Sequence, residues 1–376
     1  MQPLGLYIHI PFCKRKCAYC DFVSSPGCEE DMDKYIDNLI GEARLYADAL
    51  FSRRVDTVFV GGGTPSLLTP QQFARLTKGI KECCNWGVAE FTMEANPETL
   101  DENKLAAYAD CGVNRLSMGL QTHDDDILAR IGRRHTWDAF LQAYEAATKH
   151  FDNINADTIF GLPGQTLDSY LETLRRVIAL GAKHVSSYAL KLEAGTPLAA
   201  QFVGVDEDMD REMYHAGIKA LEAAGLMQYE TSNFAITGCE CRHNMKYWTE
   251  AEYLGLGVAA HSMLRQGRRI RFGNVCELGE YGKHIRTGRT PISERQELEE
   301  VDEKAEFVML RLRLKDGIAY ADYDERFGEA FEDRFGSAVR FCEKAGLLTQ
   351  TKSGIAPTVK GFDLQNSLIS QFIKCL

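Results

Sequence analysis

Residues 6–20 read LYIHIPFCKRKCAYC, a short apolar run followed at once by a cluster of cysteines. The apolar run predicts a β-strand over residues 6–10. Cys13, Cys17 and Cys20 then fall on one loop with the spacing C-x3-C-x2-C. Three thiolates on one loop can bind three irons of a [4Fe–4S] cubane cluster, which leaves the fourth iron open to an exogenous ligand. This spacing therefore makes the three cysteines the first candidates for metal ligands.

Two simpler interpretations of the cysteines stay open at this point. They could hold a structural zinc ion, or they could be buried as small apolar residues. A zinc site usually takes further ligands from a second closely spaced pair of cysteines or histidines. Cys239 and Cys241 are separated by a single residue, which is too close for that motif, and simple packing is the preferred interpretation for them.

The composition narrows the class of protein. The chain has 376 residues, of which 45% are hydrophobic and 26% charged, as in a folded globular protein. Its formal net charge of −11 disfavours nucleic acid as a main partner. No apolar run reaches the roughly 18 residues that span a bilayer, and residues 1–10 lack the features of a signal peptide. These features predict a cytoplasmic location. The cytoplasm is reducing, so disulfide bonds are a poor explanation for the 12 cysteines.

The first half of the chain alternates short apolar strands with amphipathic helices. Strands are predicted over residues 6–10, 57–60, 90–94, 115–119, 153–159 and 184–189. Helices are predicted between them over residues 32–51, 70–85, 101–111, 123–131, 137–150 and 167–180. Such alternation is typical of parallel β/α units, which close into a barrel or form an open doubly wound sheet.

The polar segments favour the barrel. Each unusual segment follows or ends a predicted strand, and only a barrel brings the carboxyl ends of all its strands to one site. The predicted fold is therefore α/β, a partial (β/α)6 TIM-like barrel over residues 1–235. A mostly helical C-terminal domain is predicted over residues 236–376, with a hairpin at 265–273, a short ribbon at 346–359 and a last helix at 362–373.

The cysteine loop and the residues before it, from Tyr7 to Cys13, resemble the radical-SAM superfamily. Within it they resemble the HemN-like branch, which contains the oxygen-independent coproporphyrinogen III dehydrogenases and the heme chaperones related to them. The resemblance covers nearly the whole chain, because several motifs recur in the same order. It implies a [4Fe–4S] cluster, S-adenosyl-L-methionine (SAM) and the partial barrel that carries both.

The resemblance assigns further residues to the SAM site. From the residues alone, a tight turn is the preferred interpretation of the glycine run at 61–63, and a helix N-terminal position is preferred for Glu94. A structural ion pair stays an open alternative for Arg133 and Asp157. The resemblance instead implies cofactor contacts for all of these positions, and for two tyrosines beside the cysteines. The implied SAM-binding residues are Tyr7, Tyr19, Gly62, Gly63, Thr64, Glu94, Gln121, Arg133 and Asp157.

Residues 243–248 read HNMKYW. This H-N-x-x-Y-W pattern resembles the element tied to heme binding in the chaperones of the branch, and it implies heme-binding roles for His243, Tyr247 and Trp248. A histidine can bind heme iron, and aromatic rings can pack on a porphyrin face. From the residues alone, the segment is a turn whose aromatics fill an interface. His261 is a second candidate nearby, or a core histidine with its hydrogen bonds satisfied.

Two departures separate this chain from the dehydrogenases of the branch. They carry a glycine and a further cysteine after the third cysteine, whereas here Asp21 and Phe22 follow Cys20. The dehydrogenases also carry a long segment ahead of the cluster. In this chain only 12 residues precede Cys13, too few for such a segment. We therefore expect a heme chaperone, with the dehydrogenase as the alternative and a methylase acting on another tetrapyrrole as a third hypothesis. Whether the chain is an enzyme at all stays open.

The expected partners follow from the same resemblance. They are heme, heme-accepting proteins and a heme donor such as a bacterioferritin, with contact at the membrane surface as a further expectation. The sequence leaves open the oligomeric state, the number of SAM molecules and whether SAM is cleaved in turnover.

Overall fold

A computed structural model describes residues 2–204 and 206–376. Six parallel strands form the first half of the molecule, each hydrogen-bonded to the next in chain order. The strands are β1 (Leu4–Ile10), β2 (Arg54–Gly62), β3 (Asn85–Ala95), β4 (Arg115–Gln121), β5 (Asn153–Phe160) and β6 (His184–Ala189). The predicted partial barrel is confirmed. Its strands are buried along most of their length, as expected for a parallel sheet covered by helices.

Helices connect these strands on the outside of the barrel. They are α1 (Glu29–Leu45), α2 (Ala47–Phe51), α3 (Pro70–Lys81), α4 (Glu102–Asp110), α5 (Asp125–Arg130), α6 (Trp137–Ala147) and α7 (Leu167–Ala179). From α3 to α7, each helix begins at a threonine or aspartate whose side chain accepts a backbone N–H of the first turn. These caps fix the point at which each strand's loop ends and its helix begins.

The second half of the chain extends the same sheet at both edges. The elements are α8 (Glu207–Ala223), β7 (Met227–Gln228), β8 (Asn233–Ala235), α9 (Arg242–Trp248), β9 (Tyr253–Leu256), β10 (His261–Gln266), β11 (Arg268–Asn274), α10 (Leu278–Arg286) and β12 (Ile292–Glu297). β8 pairs with β6, and β9 pairs parallel to β1. The strand order is β12-β11-β10-β9-β1-β2-β3-β4-β5-β6-β8-β7, so the sheet runs across the predicted division at residue 235, which stays a prediction.

The last part of the chain has its own core. Its elements are α11 (Glu300–Arg311), β13 (Ile318–Ala319), α12 (Tyr320–Phe327), α13 (Phe331–Lys344), β14 (Leu348–Gln350), β15 (Gly354–Pro357), α14 (Val359–Asp363) and α15 (Gln365–Ile373). Aromatic rings fill the space between the helices, among them Phe307, Tyr323, Phe331, Phe335 and Phe372. Among residues 2–204 and 206–376, no helix is both long and apolar enough to cross a bilayer.

Several predicted elements change at their boundaries. The helix predicted over 32–51 breaks at Tyr46, and the one predicted over 362–373 breaks at Leu364. The helix predicted over 70–85 ends at Lys81, because β3 starts at Asn85, well before the predicted strand. The predicted hairpin at 265–273 is present, but its strands are longer, and β9 and β12 beside it were not predicted.

A buried ionic cluster joins the last part of the chain to the extended sheet. The Glu250 side chain is fully buried and lies 2.6 Å from Arg326 Nη1, 3.3 Å from Arg311 Nε and 3.9 Å from Arg269 Nη1. Arg311 and Arg326 belong to α11 and α12, whereas Arg269 belongs to β11. One carboxylate thus interacts with guanidinium groups from both sides of the contact.

We expect Glu250→Gln to destabilise the protein by about 3 kcal/mol, because the buried Arg269 guanidinium loses the carboxylate beside it. Arg311 and Arg326 keep their second carboxylate partners, Asp322 and Glu303. The free energy of unfolding in urea measures the effect. Glu30→Gln is the matched control, since Glu30 forms an exposed i,i+4 pair with Lys34 and should cost less than about 0.5 kcal/mol. Equal stabilities for the two variants would contradict this account of the contact.

Candidate functional site

The three cysteines lie on the loop that follows β1, at the carboxyl end of the barrel. Backbone hydrogen bonds hold this loop at both ends: Cys13 N donates to Ser25 O at 3.1 Å, and Ala18 N donates to Ile131 O at 2.9 Å. The cysteines are free thiols, and all three are partly exposed. Their side chains are therefore accessible from the cavity beside the loop.

A cavity of about 390 Å³ opens between this loop and the carboxyl ends of the strands. Most of the residues predicted for the cluster and SAM lie in its wall. They are Cys13, Cys17, Tyr19, Cys20, Gly62, Gly63, Thr64, Glu94, Gln121, Arg133 and Asp157. The barrel topology brings them together from β1, β2, β3, β4 and β5, as the rule for barrel active sites requires.

The glycine loop after β2 lies against the cysteine loop. Gly63 N donates to Ile10 O and Thr64 N donates to Phe12 O, each at 2.8 Å. A Cβ atom at Gly63 would lie 2.7 Å from Phe12 O, so no larger residue fits there without moving the backbone. Gly62 has a φ of +113°, which favours glycine. The glycines therefore form a tight turn and also line the cavity.

Two carboxylates form the acidic side of the cavity. Glu94 Oε2 accepts the Gly62 N–H at 3.0 Å, and Asp157 accepts hydrogen bonds from Ser117 at 3.1 Å and Asn155 at 2.8 Å. Burial, followed by the negative charge of Asp157, raises the pKa of Glu94 to about 7. Burial likewise raises the pKa of Asp157. Such carboxylates can accept hydrogen bonds from ligand hydroxyl and amino groups.

Arg133 forms the basic side of the cavity. Its Nη2 donates to Asn96 Oδ1 at 2.9 Å and to Gly119 O at 2.5 Å, and its Nη1 lies 3.8 Å from Cys17 Sγ. Its Nε is buried and has no hydrogen-bond partner in the described part of the chain. Within residues 2–204 and 206–376, Arg133 and Asp157 form no salt bridge with each other, so the simpler ion-pair interpretation does not describe them.

Gln121 ends β4 in an unusual backbone conformation. Its φ is +73°, and the pairing of β4 with β5 shifts register between Gly119 and Gln121. Positive φ in a residue other than glycine is costly, and such strain clusters at functional sites. With this backbone conformation, Gln121 lies in the cavity wall.

The remaining predicted residues lie elsewhere. Tyr7 and Tyr247 face a neighbouring groove rather than the cysteine cavity. His243 is fully buried, with Nδ1 2.9 Å from Thr57 Oγ1 and Nε2 2.8 Å from Tyr247 OH. Trp248 ends α9 and is partly buried. The H-N-x-x-Y-W segment thus forms a short helix, not a turn.

Some residues of the site were not predicted. Asn96 accepts from Arg133 and donates to Thr64 Oγ1 at 3.1 Å, so it connects two predicted residues. His9 forms two hydrogen bonds of 3.0 Å, one between its Nδ1 and Tyr7 OH and one between its Nε2 and Val23 O. For Asn96, the Asn96-Pro97 pair directly after a strand could have indicated a place in the site. For His9, no motif or strand end in the sequence indicated a contact with other residues of the site.

Two family profiles match the chain. The Radical SAM superfamily matches residues 7–177, and the HemN C-terminal domain matches residues 298–364. Among solved structures, coproporphyrinogen III oxidase (HemN) from Escherichia coli, described as a radical SAM enzyme, superposes with a TM-score of 0.87 at 26% identity. The superposition covers 100% of this chain and 91% of that one.

Curated relatives match over nearly the full length of both chains. The heme chaperone HemW of Bacillus subtilis is 32% identical over 375 residues, 98% of each chain. HemW of Escherichia coli K12 is 34% identical over 379 residues, 99% of each chain. This chain belongs to the HemW family of radical SAM proteins. The predicted family is therefore confirmed. Its cofactors can now be compared with the residues that line the cavity.

The cavity fits the cofactors of a radical SAM protein. The family implies a [4Fe–4S] cluster and SAM, which together supply the electron and the 5′-deoxyadenosyl group for radical chemistry. The described residues hold no group of three ligands close enough for a single metal ion. A cubane cluster binds each thiolate through a different iron, so Cys13, Cys17 and Cys20 suit it. Arg133 offers a positive charge to the carboxylate of an amino acid, and Glu94 offers a hydrogen-bond acceptor to the hydroxyl groups of a ribose.

We expect Cys17→Ala to abolish the [4Fe–4S] absorbance after anaerobic reconstitution, because the cluster loses one of its protein ligands. Iron and sulfide content per chain measures the loss. Cys28→Ala is the matched control, since Cys28 is an exposed thiol just outside the loop and its removal should leave the cluster intact. Retention of a full cluster in Cys17→Ala would disprove the ligand assignment.

We also expect SAM to bind more weakly at pH 6 than at pH 8. With its pKa raised to about 7, Glu94 is mostly protonated at pH 6 and loses its charge as an acceptor. The difference is up to about tenfold, since one pKa unit is a factor of ten. Calorimetric titration of the reconstituted protein at both pH values measures it.

Glu94→Gln should bind SAM more weakly and remove this part of the pH dependence. Titration of SAM itself affects wild type and variant alike, so the difference between the two profiles isolates Glu94. Parallel profiles for the two proteins would show that Glu94 does not contact SAM as a carboxylate.

Proposed function

We propose that this protein is a heme chaperone, which binds heme and transfers it to acceptor proteins on a radical SAM scaffold. The observation that carries the proposal is the match to curated heme chaperones HemW over 98–99% of both chains. A match of that length includes the cysteine loop, the cavity wall and the C-terminal region together. The cluster and SAM then have a supporting or regulatory role.

The wall of the cavity supports the same choice. Asp21 and Phe22, which follow the third cysteine, both line the cavity, and Phe22 is 63% exposed. An acidic residue and an exposed aromatic ring therefore stand where the dehydrogenases of the branch carry glycine and a further thiol. We infer that the site is built to hold a cofactor beside an apolar surface.

The alternative function is that of an oxygen-independent coproporphyrinogen III dehydrogenase. It is favoured by the superposition on coproporphyrinogen III oxidase along the entire chain. In that case the cavity would place SAM against a porphyrinogen propionate for oxidative decarboxylation. The two functions share the fold and the cofactors, so they differ in product and not in architecture.

The partners of a chaperone follow from its cargo. We infer heme and heme-accepting proteins as partners in the cytoplasm, with a bacterioferritin-type protein as donor and some acceptors at the membrane surface. SAM contacts for the cavity residues belong to the same proposal, as does a role in the heme site for the segment that carries His243, Tyr247 and Trp248.

An anaerobic assay of the reconstituted protein separates the two functions. The protein is given coproporphyrinogen III, SAM and a reductant, and protoporphyrinogen and 5′-deoxyadenosine are followed together. We expect no porphyrinogen product, with the cluster intact and SAM bound. In a second arm, the heme-loaded protein is mixed with a heme-free cytochrome, and we expect the heme absorbance to move to the acceptor.

Formation of protoporphyrinogen over many turnovers would overturn the proposal in favour of the dehydrogenase. The reconstituted Cys28→Ala variant should behave as wild type in both arms, because Cys28 lies outside the cysteine cavity. A protein that neither forms product nor binds heme would contradict both candidates.

A further inference from the structure

A second concave site adjoins the cysteine cavity. It is a groove of about 560 Å³, within the usual size range of small-molecule sites. Asp21 and Phe22 line both spaces, so this short segment after Cys20 is the wall between them. The groove also meets α9 through Tyr247 and the β9–β10 region through Tyr253 and His261.

Aromatic rings form much of the groove surface. Tyr7, Tyr247 and Tyr253 line it, and the rings of Tyr247 and Tyr253 pack edge to face with centroids 4.6 Å apart. Phe22 adds a largely exposed ring at the boundary with the cysteine cavity. Large aromatic surfaces of this kind suit a flat, mostly apolar ligand.

His243 is poorly placed to bind a metal in this groove. Its side chain is fully buried, and both ring nitrogens are engaged, one by Thr57 and one by Tyr247. Burial lowers its pKa to about 3, so the ring is neutral and one nitrogen donates while the other accepts. The hydrogen bond from His243 to Tyr247 instead fixes the Tyr247 ring in the groove wall.

His261 has the opposite environment. Its side chain is 57% exposed, and its Nδ1 lies 3.6 Å from Glu294 Oε1. Among residues 2–204 and 206–376, no side chain or backbone group hydrogen-bonds its Nε2. The 3.6 Å separation is longer than a hydrogen bond, so Glu294 only places a negative charge near Nδ1, and the free Nε2 is available to bind a metal.

The backbone beside His261 is strained. Ala259 has a φ of +53°, and its N–H donates to Val275 O at 3.0 Å. This hydrogen bond ties the start of β10 to the end of β11, next to Cys276. Strain of this kind in a residue other than glycine is enriched at functional sites.

We propose that heme lies in this groove, with its iron bound by His261 Nε2 and its face against Tyr247 and Tyr253. His243 is then a positioning residue for Tyr247 and not the iron ligand. This inference rests on the proposed heme-chaperone function and deepens it. Because His261 and Cys276 are both exposed, the heme carboxylates can stay in water at that side of the groove.

The test is a titration of the reconstituted full-length protein with ferric heme. The oxidised cubane cluster gives no electron paramagnetic resonance signal, so the spectrum reports the heme ligand directly. We expect an imidazole ligand in wild type. His261→Ala should lose that signature, weaken heme binding by at least about tenfold, and regain the signature on addition of free imidazole.

Three further variants serve as controls. His150→Ala removes an equivalent histidine, one paired with Glu102 outside the groove, and should change nothing. His243→Gln removes the other candidate histidine. It should keep the imidazole signature because His261 is intact, although heme binds more weakly once the Tyr247 ring is no longer held by His243. Cys276→Ala should also keep it, since the thiol is not the proposed ligand. Circular dichroism and cluster absorbance confirm that each variant is folded.

The outcomes separate the inference from the function beneath it. If wild type binds heme but His261→Ala keeps the signature and affinity, the inference is wrong and the chaperone proposal stands. Loss of the signature in His243→Gln, or a thiolate spectrum that disappears in Cys276→Ala, would overturn it in the same way. If wild type shows no saturable heme binding, the proposed function itself fails.

Discussion

The close contact between Gly63 and the backbone of Phe12 is the constraint on which the rest of the site depends. The two hydrogen bonds from the glycine loop to Ile10 and Phe12 continue the pairing of β1 with β2 beyond the end of the strands. The cysteine loop therefore leaves the sheet in a fixed direction, with Thr64 Oγ1 3.5 Å from Cys13 Sγ. A larger residue at position 63 would push the loop away and move the first thiol with it. The position of the cluster thus depends on a backbone contact.

At the other end of the barrel, α9 is fastened by buried polar contacts. Glu90 from β3 accepts the N–H groups of Arg242 and His243 at 2.8 and 2.9 Å, which stabilises the first turn of the helix. Thr57 from β2 holds the His243 ring. The motif therefore serves the fold as well as any ligand, since the same histidine orients Tyr247 toward the groove. In the proposed heme site, His243 therefore acts on Tyr247 and does not touch the iron.

The sequence allowed the barrel and most of the cavity to be predicted, because both depend on local patterns. Strand periodicity located the six strands of the barrel, motif spacing located the cysteines, and the family resemblance supplied Glu94 and Arg133. What could not be predicted depends on contacts between distant segments. β9 is only four residues long and joins the sheet by pairing with β1, some 250 positions earlier. The contact between the His243 ring and Thr57 likewise joins distant segments, so the burial of this histidine could not be predicted from local patterns.

The two cavities are mechanically connected. Val23, three residues after Cys20, accepts the hydrogen bond from His9, and His9 in turn contacts Tyr7 OH. The ring of Tyr7 lines the groove, whereas Cys20 lines the cluster cavity. Since Cys20 is a proposed ligand, a bound cluster restrains the segment from Cys20 to Val23, and through His9 it restrains Tyr7. If Cys20 binds the cluster, the cluster restrains one side of the groove through Val23, His9 and Tyr7, whether or not SAM is ever cleaved.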